Sequence, residues 1–172
     1  SQHLASSDEL FFYPEIKSFI NEENKKKIEE KIVNIDEEAF NREREIGENN
    51  SYLCTLIRND SVEEFITYVN KTNLPLNSEI PISIFETNPF LLKHEKTTLI
   101  QYSAFCGSNQ IFNYLRMSNA NLDSSLILFA IHGKNDNIIY FLEENHLINS
   151  YSKCLEESIK CHHNNIANYI IQ

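Results

Sequence analysis

The chain has 172 residues, 41% of them hydrophobic, which is enough for one sizeable core or a short array of repeats. Its net charge of -10 and isoelectric point near 5.0 argue against binding to nucleic acid or an anionic lipid surface, and favour a basic partner. No apolar run approaches the roughly 20 residues that span a bilayer, and SQHLASSDEL lacks the basic and apolar regions of a secretory signal, so we expect an intracellular, cytoplasmic protein.

Residues 1–50 form an acidic first region, with 13 acidic against 7 basic side chains. A short helix is predicted from Pro14 to Asn21, because proline at the first helical position lacks only a hydrogen bond that this position would not make. Further on, Ile28 and Ile32 lie at helical spacing among many charges. The pattern predicts helices with a narrow apolar face and a wide charged one, which is either a solvated surface or a charge-based docking site.

A denser apolar pattern begins near Tyr52, and we therefore place a domain boundary at residue 51. Residues 71–96 interrupt this second region with Pro75, Pro81 and Pro89, which exclude a long helix. We expect an extended, proline-bearing insertion there, with one short helical turn around Ile82 to Glu86.

A pattern of two short helices joined by a tight turn recurs through residues 51–172. In the stretch TTLIQYSAFCGSNQIFNYL, apolar and small residues recur every three to four positions on both sides of Gly107, which can take the left-handed conformation that ends a helix. Copies occupy about 52–70, 97–121, 124–147 and 152–172. Ile111, Ile138 and Ile166 stand at equivalent positions, 27 and 28 residues apart. Because such a hairpin cannot bury its apolar faces alone, we expect the copies to stack.

The turns of these copies need residues that tolerate a left-handed backbone. The chain has only three glycines but many asparagines, and asparagine tolerates positive φ best after glycine. We therefore expect Asn59, Asn119, Asn135 and Asn145 to take left-handed conformations.

Residues Thr98 to Ser108, followed by Asn119-Ala120-Asn121, resemble the ankyrin-repeat signature, although Leu99 and Gln101 stand where proline and histidine are usual. The segments LCTLIRNDSVEEFITYVN, SIFETNPFLL and ESIKCHHNNIANYI are similar to an uncharacterised protist family of ankyrin-type proteins with a domain of unknown function. The resemblance implies an all-α, ankyrin-like solenoid of stacked helix pairs that binds proteins, and the family has no known catalytic residues to carry over to this chain. The later copies are shorter than the usual period of about 33 residues, so the first helices are expected to carry more of the binding.

The predicted partner-binding residues are the two that precede each turn glycine or its equivalent, in keeping with ankyrin-like geometry. In chain order they are Arg58, Asn59, Phe105, Cys106, Ile131, His132, Ile159 and Lys160. The apolar members would form a stripe on the concave surface flanked by basic side chains, which could receive an acidic and apolar peptide or helix. The alternative is that the apolar members belong to the core and that the helices are rotated from this assignment.

A metal site is one hypothesis for four residues near the C-terminus: Cys154, Cys161, His162 and His163. The two cysteines are seven residues apart, about 10 Å along a helix, which is too far for a disulfide and lacks the Cys-x-x-Cys spacing of a zinc site. We therefore expect no metal and no other cofactor, with His162 and His163 in a turn.

No pattern of catalytic residues stands out. Cys106 as a nucleophile would need a base within hydrogen-bond reach, and the sequence has no phosphate-binding loop, Gly-x-Ser-x-Gly or His-Glu-x-x-His motif. We expect adjacent carboxylates such as Glu156-Glu157 to lie on a solvated helix face rather than in a catalytic site. We expect that the chain is not an enzyme.

The function that the sequence favours is an interaction scaffold for a protein partner, either a basic protein or an apolar helix or peptide. A regulatory or substrate-recruiting segment of a larger enzyme is the alternative, and a longer reading frame with a catalytic motif would favour it. Self-association through the C-terminal repeat, giving a homo-oligomer, is a third hypothesis.

Overall fold

The structure, a computed structural model, describes residues 7–32, 37–94 and 96–171. Within these ranges the regular structure is helical, and a single isolated antiparallel bridge joins Glu79 to Thr98. The prediction of an all-α chain is confirmed. None of the helices in the described ranges is both long enough and apolar enough to cross a lipid bilayer.

The helices are numbered in chain order. They are α1 (Ser7–Phe11), α2 (Tyr13–Ile16), α3 (Glu22–Ile32), α4 (Glu37–Ile46), α5 (Tyr52–Arg58), α6 (Val62–Thr72), α7 (Pro89–Lys93), α8 (Leu99–Cys106), α9 (Asn109–Met117), α10 (Leu126–Gly133), α11 (Asp136–Glu144), α12 (Tyr151–Lys160) and α13 (Asn164–Ile171).

The described residues group into two compact units. The first lies within Ser1–Asn50 and Ile82–Glu95, and the second within Ser51–Pro81 and Lys96–Gln172. Much of the proline-bearing insertion therefore belongs to the first unit. A hydrogen-bonded turn lies at 83–86, where a short helical turn is expected, with the Glu86 N–H donating to the Ser83 carbonyl at 3.4 Å. The helix of the insertion, α7, begins at Pro89, because the Asn88 side chain accepts a hydrogen bond from the Phe90 backbone N–H at 2.9 Å and caps it.

The core of the first unit is small and aromatic. Phe40 and Phe85 are both buried and meet edge to face, with ring centroids 5.3 Å apart. Ile28 is buried as expected, whereas the side chain of Ile32 lies outside the described residues. Helix α2 is shorter than the helix expected from Pro14 to Asn21, ending at residue 16.

The second unit consists of four successive helix pairs: α5 with α6, α8 with α9, α10 with α11, and α12 with α13. The first helices pack in order, α5 on α8, α8 on α10 and α10 on α12, and the second helices α6, α9 and α11 do the same. The core runs through these contacts, and its fully buried side chains include Ile57, Leu99, Phe112, Leu126 and Phe129. Burial of these faces between neighbours supplies most of the stability of helices only 7 to 11 residues long.

Each pair changes direction at one residue with a left-handed backbone. These residues are Asp60, Gly107, Lys134 and His162, with φ of 50°, 70°, 49° and 54°. The predictions for Asn59 and Asn135 are wrong by one residue. Asn135 instead has φ of -102°, and its side chain accepts hydrogen bonds from the backbone N–H groups of Asn137 and Ile138, which caps α11.

A second left-handed residue follows the second helix of the first three pairs. Asn119 takes this conformation as predicted, with φ of 60°, and Asn73 does so with φ of 52°. The prediction for Asn145 is wrong, because His146 takes the left-handed backbone with φ of 55°.

Gly133 serves close packing rather than a turn. It ends α10 in a helical conformation, and a Cβ atom there would overlap the carbonyl oxygen of Ala104 and lie 2.7 Å from the Gly107 nitrogen. A Cβ atom at Gly107 would in turn lie 2.6 Å from the Gly133 oxygen. The contact between α8 and α10 therefore requires glycine at both positions.

Polar contacts tie neighbouring pairs together at their turns. The Asp60 carboxylate accepts hydrogen bonds from the backbone N–H groups of Gln110 and Ile111, both at 2.9 Å, and so caps α9 of the next pair. One pair further on, the Asn135 side chain donates to the Gly107 carbonyl at 2.9 Å. These bonds fix how one pair sits on the next.

Candidate functional site

The left-handed turn residues give a common origin for comparing the four pairs. Counted two residues back from them, the equivalent positions are Arg58, Phe105, His132 and Lys160. All four lie on the first helices and none is fully buried. They are four of the eight predicted partner-binding residues.

The prediction that Ile131 lies on this surface is wrong. Its side chain is completely buried. The prediction counts back from Gly133 as the turn residue, whereas Lys134 has the left-handed conformation. Counted correctly, Ile131 stands three residues before the turn and is equivalent to the buried residues Ile57 and Ala104.

The other predicted residues divide by exposure. Half-buried are Arg58, Phe105, Cys106 and His132, and exposed are Asn59, Ile159 and Lys160. Ile159 is equivalent to Ile131, yet 60% of it is exposed. Among the described helices, α10 packs on both α8 and α12, whereas the main neighbours of α12 are α10 and its own partner α13, which leaves Ile159 exposed.

Side-chain contacts run along this surface from α5 to α12. Arg58 donates from Nη1 to the Tyr102 hydroxyl at 3.0 Å, and Phe105 stacks on Tyr102 and His132 with centroids 6.1 Å and 5.2 Å away. The His132 Nε2 atom lies 2.9 Å from Oε1 of Glu157. Lys160 continues the row, with its Nζ 3.6 Å from Oε2 of Glu157. We call these six residues the first-helix ribbon: Arg58, Tyr102, Phe105, His132, Glu157 and Lys160.

Tyr102 anchors the middle of the ribbon. Burial raises the pKa of its phenol well above the ordinary value, and the hydrogen bond from Arg58 opposes the shift only in part. The phenol is therefore neutral at any physiological pH. Arg58, which also donates to Thr55 Oγ1 at 3.3 Å, is held in one orientation by these two acceptors.

His132, Glu157 and Cys161 form a compact cluster between α10 and α12, which we call the α10–α12 cluster. One ligand atom from each residue, His132 nitrogen, Glu157 oxygen and Cys161 sulfur, lies within 4.8 Å of the other two. Glu157 and Cys161 are four residues apart and so share a face of α12, whose C-terminal cap is Cys161. His132 reaches them from the neighbouring helix because α10 packs on α12.

The cluster is shielded from solvent in spite of its polarity. The side chains of His132 and Glu157 are only 17% and 14% exposed, so the expectation that Glu157 belongs to a solvated face is wrong. Burial raises the pKa of the Cys161 thiol, and the Glu157 carboxylate raises it further, whereas Lys134 and Lys160 lower it. All four cysteines of the chain are free thiols.

Sequence reasoning missed this cluster because it grouped Cys161 with its neighbours in the chain. His162 is exposed in the turn, and His163 is buried with no hydrogen-bond partner for its Nε2 atom among the described residues. The available signal was the four-residue spacing of Glu157 and Cys161, a spacing that places both side chains on one helical face.

Comparison with known proteins gives no family model that matches the chain, and no curated protein or solved structure with significant similarity to it.

Proposed function

We propose that the second unit is an ankyrin-like interaction scaffold that binds a protein partner along its first helices. The observation that carries this proposal is that four members of the first-helix ribbon stand at equivalent positions of four consecutive first helices and none of the four is fully buried: Arg58, Phe105, His132 and Lys160. A repeat array offers one extended surface of this kind, in which each unit adds a similar increment of contact area.

The ankyrin-like assignment rests on the order of contacts and on the offset between pairs. First helices pack on first helices and second helices on second helices, and the last three turn residues are 27 and 28 residues apart. Thr98 also forms a capping box with Gln101, which opens α8 at the position where the resemblance to the ankyrin signature is clearest. These features support the solenoid that the sequence resemblance implies.

The chemistry of the ribbon favours an apolar helix or peptide that also carries acidic groups. Phe105 supplies apolar area at the centre of the ribbon, and Ile159, which precedes Lys160 in the chain, supplies apolar area at one end. The cations Arg58 and Lys160 stand at its two ends. A partner carboxylate near Arg58 would gain a charge-assisted hydrogen bond, whereas at Lys160 it would compete with Glu156, whose Oε1 lies 2.8 Å from the Lys160 Nζ. Arg58 is the stronger anchor, because its two hydrogen bonds already restrict its conformation and less entropy is lost on binding.

Affinity capture with matched surface variants tests the proposal. The ribbon variant combines Phe105→Ser, Ile159→Glu and Lys160→Glu, and the control variant changes two exposed side chains of the second helices, Met117→Ser and Tyr140→Ser. We expect a partner that wild type and the control retain and the ribbon variant loses, with binding of the isolated partner weakened at least tenfold by the loss of about 1.4 kcal/mol or more.

Circular dichroism first establishes that both variants keep the helical content of the wild type. Binding that the ribbon variant retains and the control loses would contradict the proposal, because it would place the contact on the second helices.

A further inference from the structure

We propose that His132, Glu157 and Cys161 bind a divalent transition metal ion, for which Zn²⁺ is the best match. Two of these ligands, His132 and Glu157, also belong to the first-helix ribbon, but the metal site does not depend on a partner being bound. It rests on three side chains of ligating chemistry that two neighbouring helices bring within 4.8 Å of one another.

The donor set selects the class of ion. An imidazole nitrogen, a carboxylate oxygen and a thiolate sulfur together suit Zn²⁺, and the sulfur argues against Mg²⁺ and Ca²⁺, which take oxygen ligands. Three protein ligands leave one position of a tetrahedron for water or for a side chain of a bound protein.

The geometry needs only a small adjustment to hold the ion. Ligand atoms of a tetrahedral zinc site lie about 3.3 to 3.8 Å from one another, and the three atoms here already fall within 4.8 Å. His132 Nε2 and Glu157 Oε1 lie 2.9 Å apart and would separate by a few tenths of an ångström as the ion replaces their hydrogen bond.

Binding is a ligand exchange with no change of oxidation state. Cys161 gives up its thiol proton to solvent and binds as the thiolate, and Glu157 binds through its carboxylate. His132 Nε2 gives up the proton that it shares with Glu157, which passes to Nδ1 or, from the imidazolium, to solvent, and then binds through its lone pair. The ion thereby joins α10 to α12 across the boundary between two helix pairs.

Cobalt titration of the metal-depleted full chain, kept reduced by a non-chelating phosphine, tests the site. Co²⁺ bound to a thiolate gives a sulfur-to-metal charge-transfer band, so the absorption reports directly on cysteine ligation. We expect one equivalent of Co²⁺ to produce the band and one equivalent of Zn²⁺ to remove it. Zn²⁺ should also raise the thermal unfolding midpoint of the wild type, because it binds the folded state.

Variants of the ligands separate this site from other thiols. Cys161→Ser should abolish the band, and His132→Gln and Glu157→Gln should weaken Co²⁺ binding by about 100-fold or more, since even residues that only orient a metal ligand contribute 10-fold to 100-fold. The matched thiol control is Cys106→Ser, since Cys106 stands at the equivalent position of α8, one residue before its turn. His162→Asn controls for a nearby exposed histidine and keeps a residue that tolerates a left-handed backbone.

The proposal is overturned if the wild type gives no band, if Cys161→Ser retains it, or if Cys106→Ser loses it. Glu157→Gln keeps every cysteine and closely preserves side-chain shape, so it provides a test that survives even if Cys161→Ser fails to fold. An affinity for Co²⁺ that this variant leaves unchanged would also contradict the site.

Discussion

Helices α10 and α12 have equivalent places in consecutive pairs but different surroundings. In α10, Leu126, Ile127, Phe129, Ala130 and Ile131 are all buried, because α8 packs on one side of the helix and α12 on the other. In α12 the fully buried residues are Cys154 and Ser158, and Ile159 is largely exposed.

The comparison shows that neighbouring helices, and not the amino acid alone, set the burial of a repeat position. Ile131 and Ile159 are the same amino acid at the same place relative to the turn, yet one is completely buried and the other is 60% exposed. Their contributions to stability should therefore differ, because apolar side chains stabilise in proportion to the area removed from water.

The largest effect is expected for Ile131→Ala. Removing a fully buried isoleucine between two helices should lower the free energy of unfolding by about 3 kcal/mol, from lost transfer energy and the cavity left behind. Urea denaturation followed by circular dichroism measures the change. A loss below about 1 kcal/mol would mean that the side chain is not enclosed as described.

A somewhat smaller effect is expected for Gly133→Ala, which tests the close approach of α8 and α10. The added methyl group would overlap the Ala104 carbonyl oxygen, so the backbones must separate, at a cost of about 2 kcal/mol. Lys134→Gly is the matched control, because glycine readily adopts the φ of 49° at this neighbouring position. Equal stability of Gly133→Ala and wild type in the same denaturation experiment would show that the helices are further apart.

The smallest effect is expected for Ile159→Ala. Because most of this side chain is already in water, the free energy of unfolding should change by less than about 0.5 kcal/mol. The measurement is the same urea titration, run beside Ile131→Ala. A loss as large as that of Ile131→Ala would indicate that another surface covers α12 in solution, as the self-association hypothesis requires.

Much of the helical organisation of the second unit could be predicted from the sequence. The three-to-four residue spacing of apolar positions around Gly107, and its recurrence near Ile138 and Ile166, follows from the period of the α-helix. In the first unit, the narrow apolar face around Ile28 was visible for the same reason. These features depend on residues close together in the chain, so they produce a periodic pattern of apolar residues in the sequence.

The register of the third pair could not be predicted, because glycine has two uses. Gly107 supplies a left-handed turn and Gly133 supplies room for a neighbouring backbone, and both look alike in the sequence. A lysine that adopts the left-handed conformation, as Lys134 does, cannot be recognised from its residue type. The error of one residue placed Ile131 on the surface.

The candidate metal site was missed for a different reason. Its residues come from two helices and meet only because α10 packs on α12, so no spacing in the chain links His132 to Cys161. The spacing along the chain could identify only two of the three ligands, Glu157 and Cys161. Contacts between elements distant in the chain depend on helix rotation, which a single sequence specifies poorly.

Hydrogen exchange of the backbone amides of α10 and α12 tests the central comparison most directly. We expect the amides of Leu126–Gly133 to exchange slowly, near the rate set by unfolding of the whole unit, because neighbouring helices enclose this helix on both sides. The amides of Tyr151–Lys160 should exchange faster through local opening of the last pair. Equal protection in both helices, or stronger protection in α12, would contradict the account.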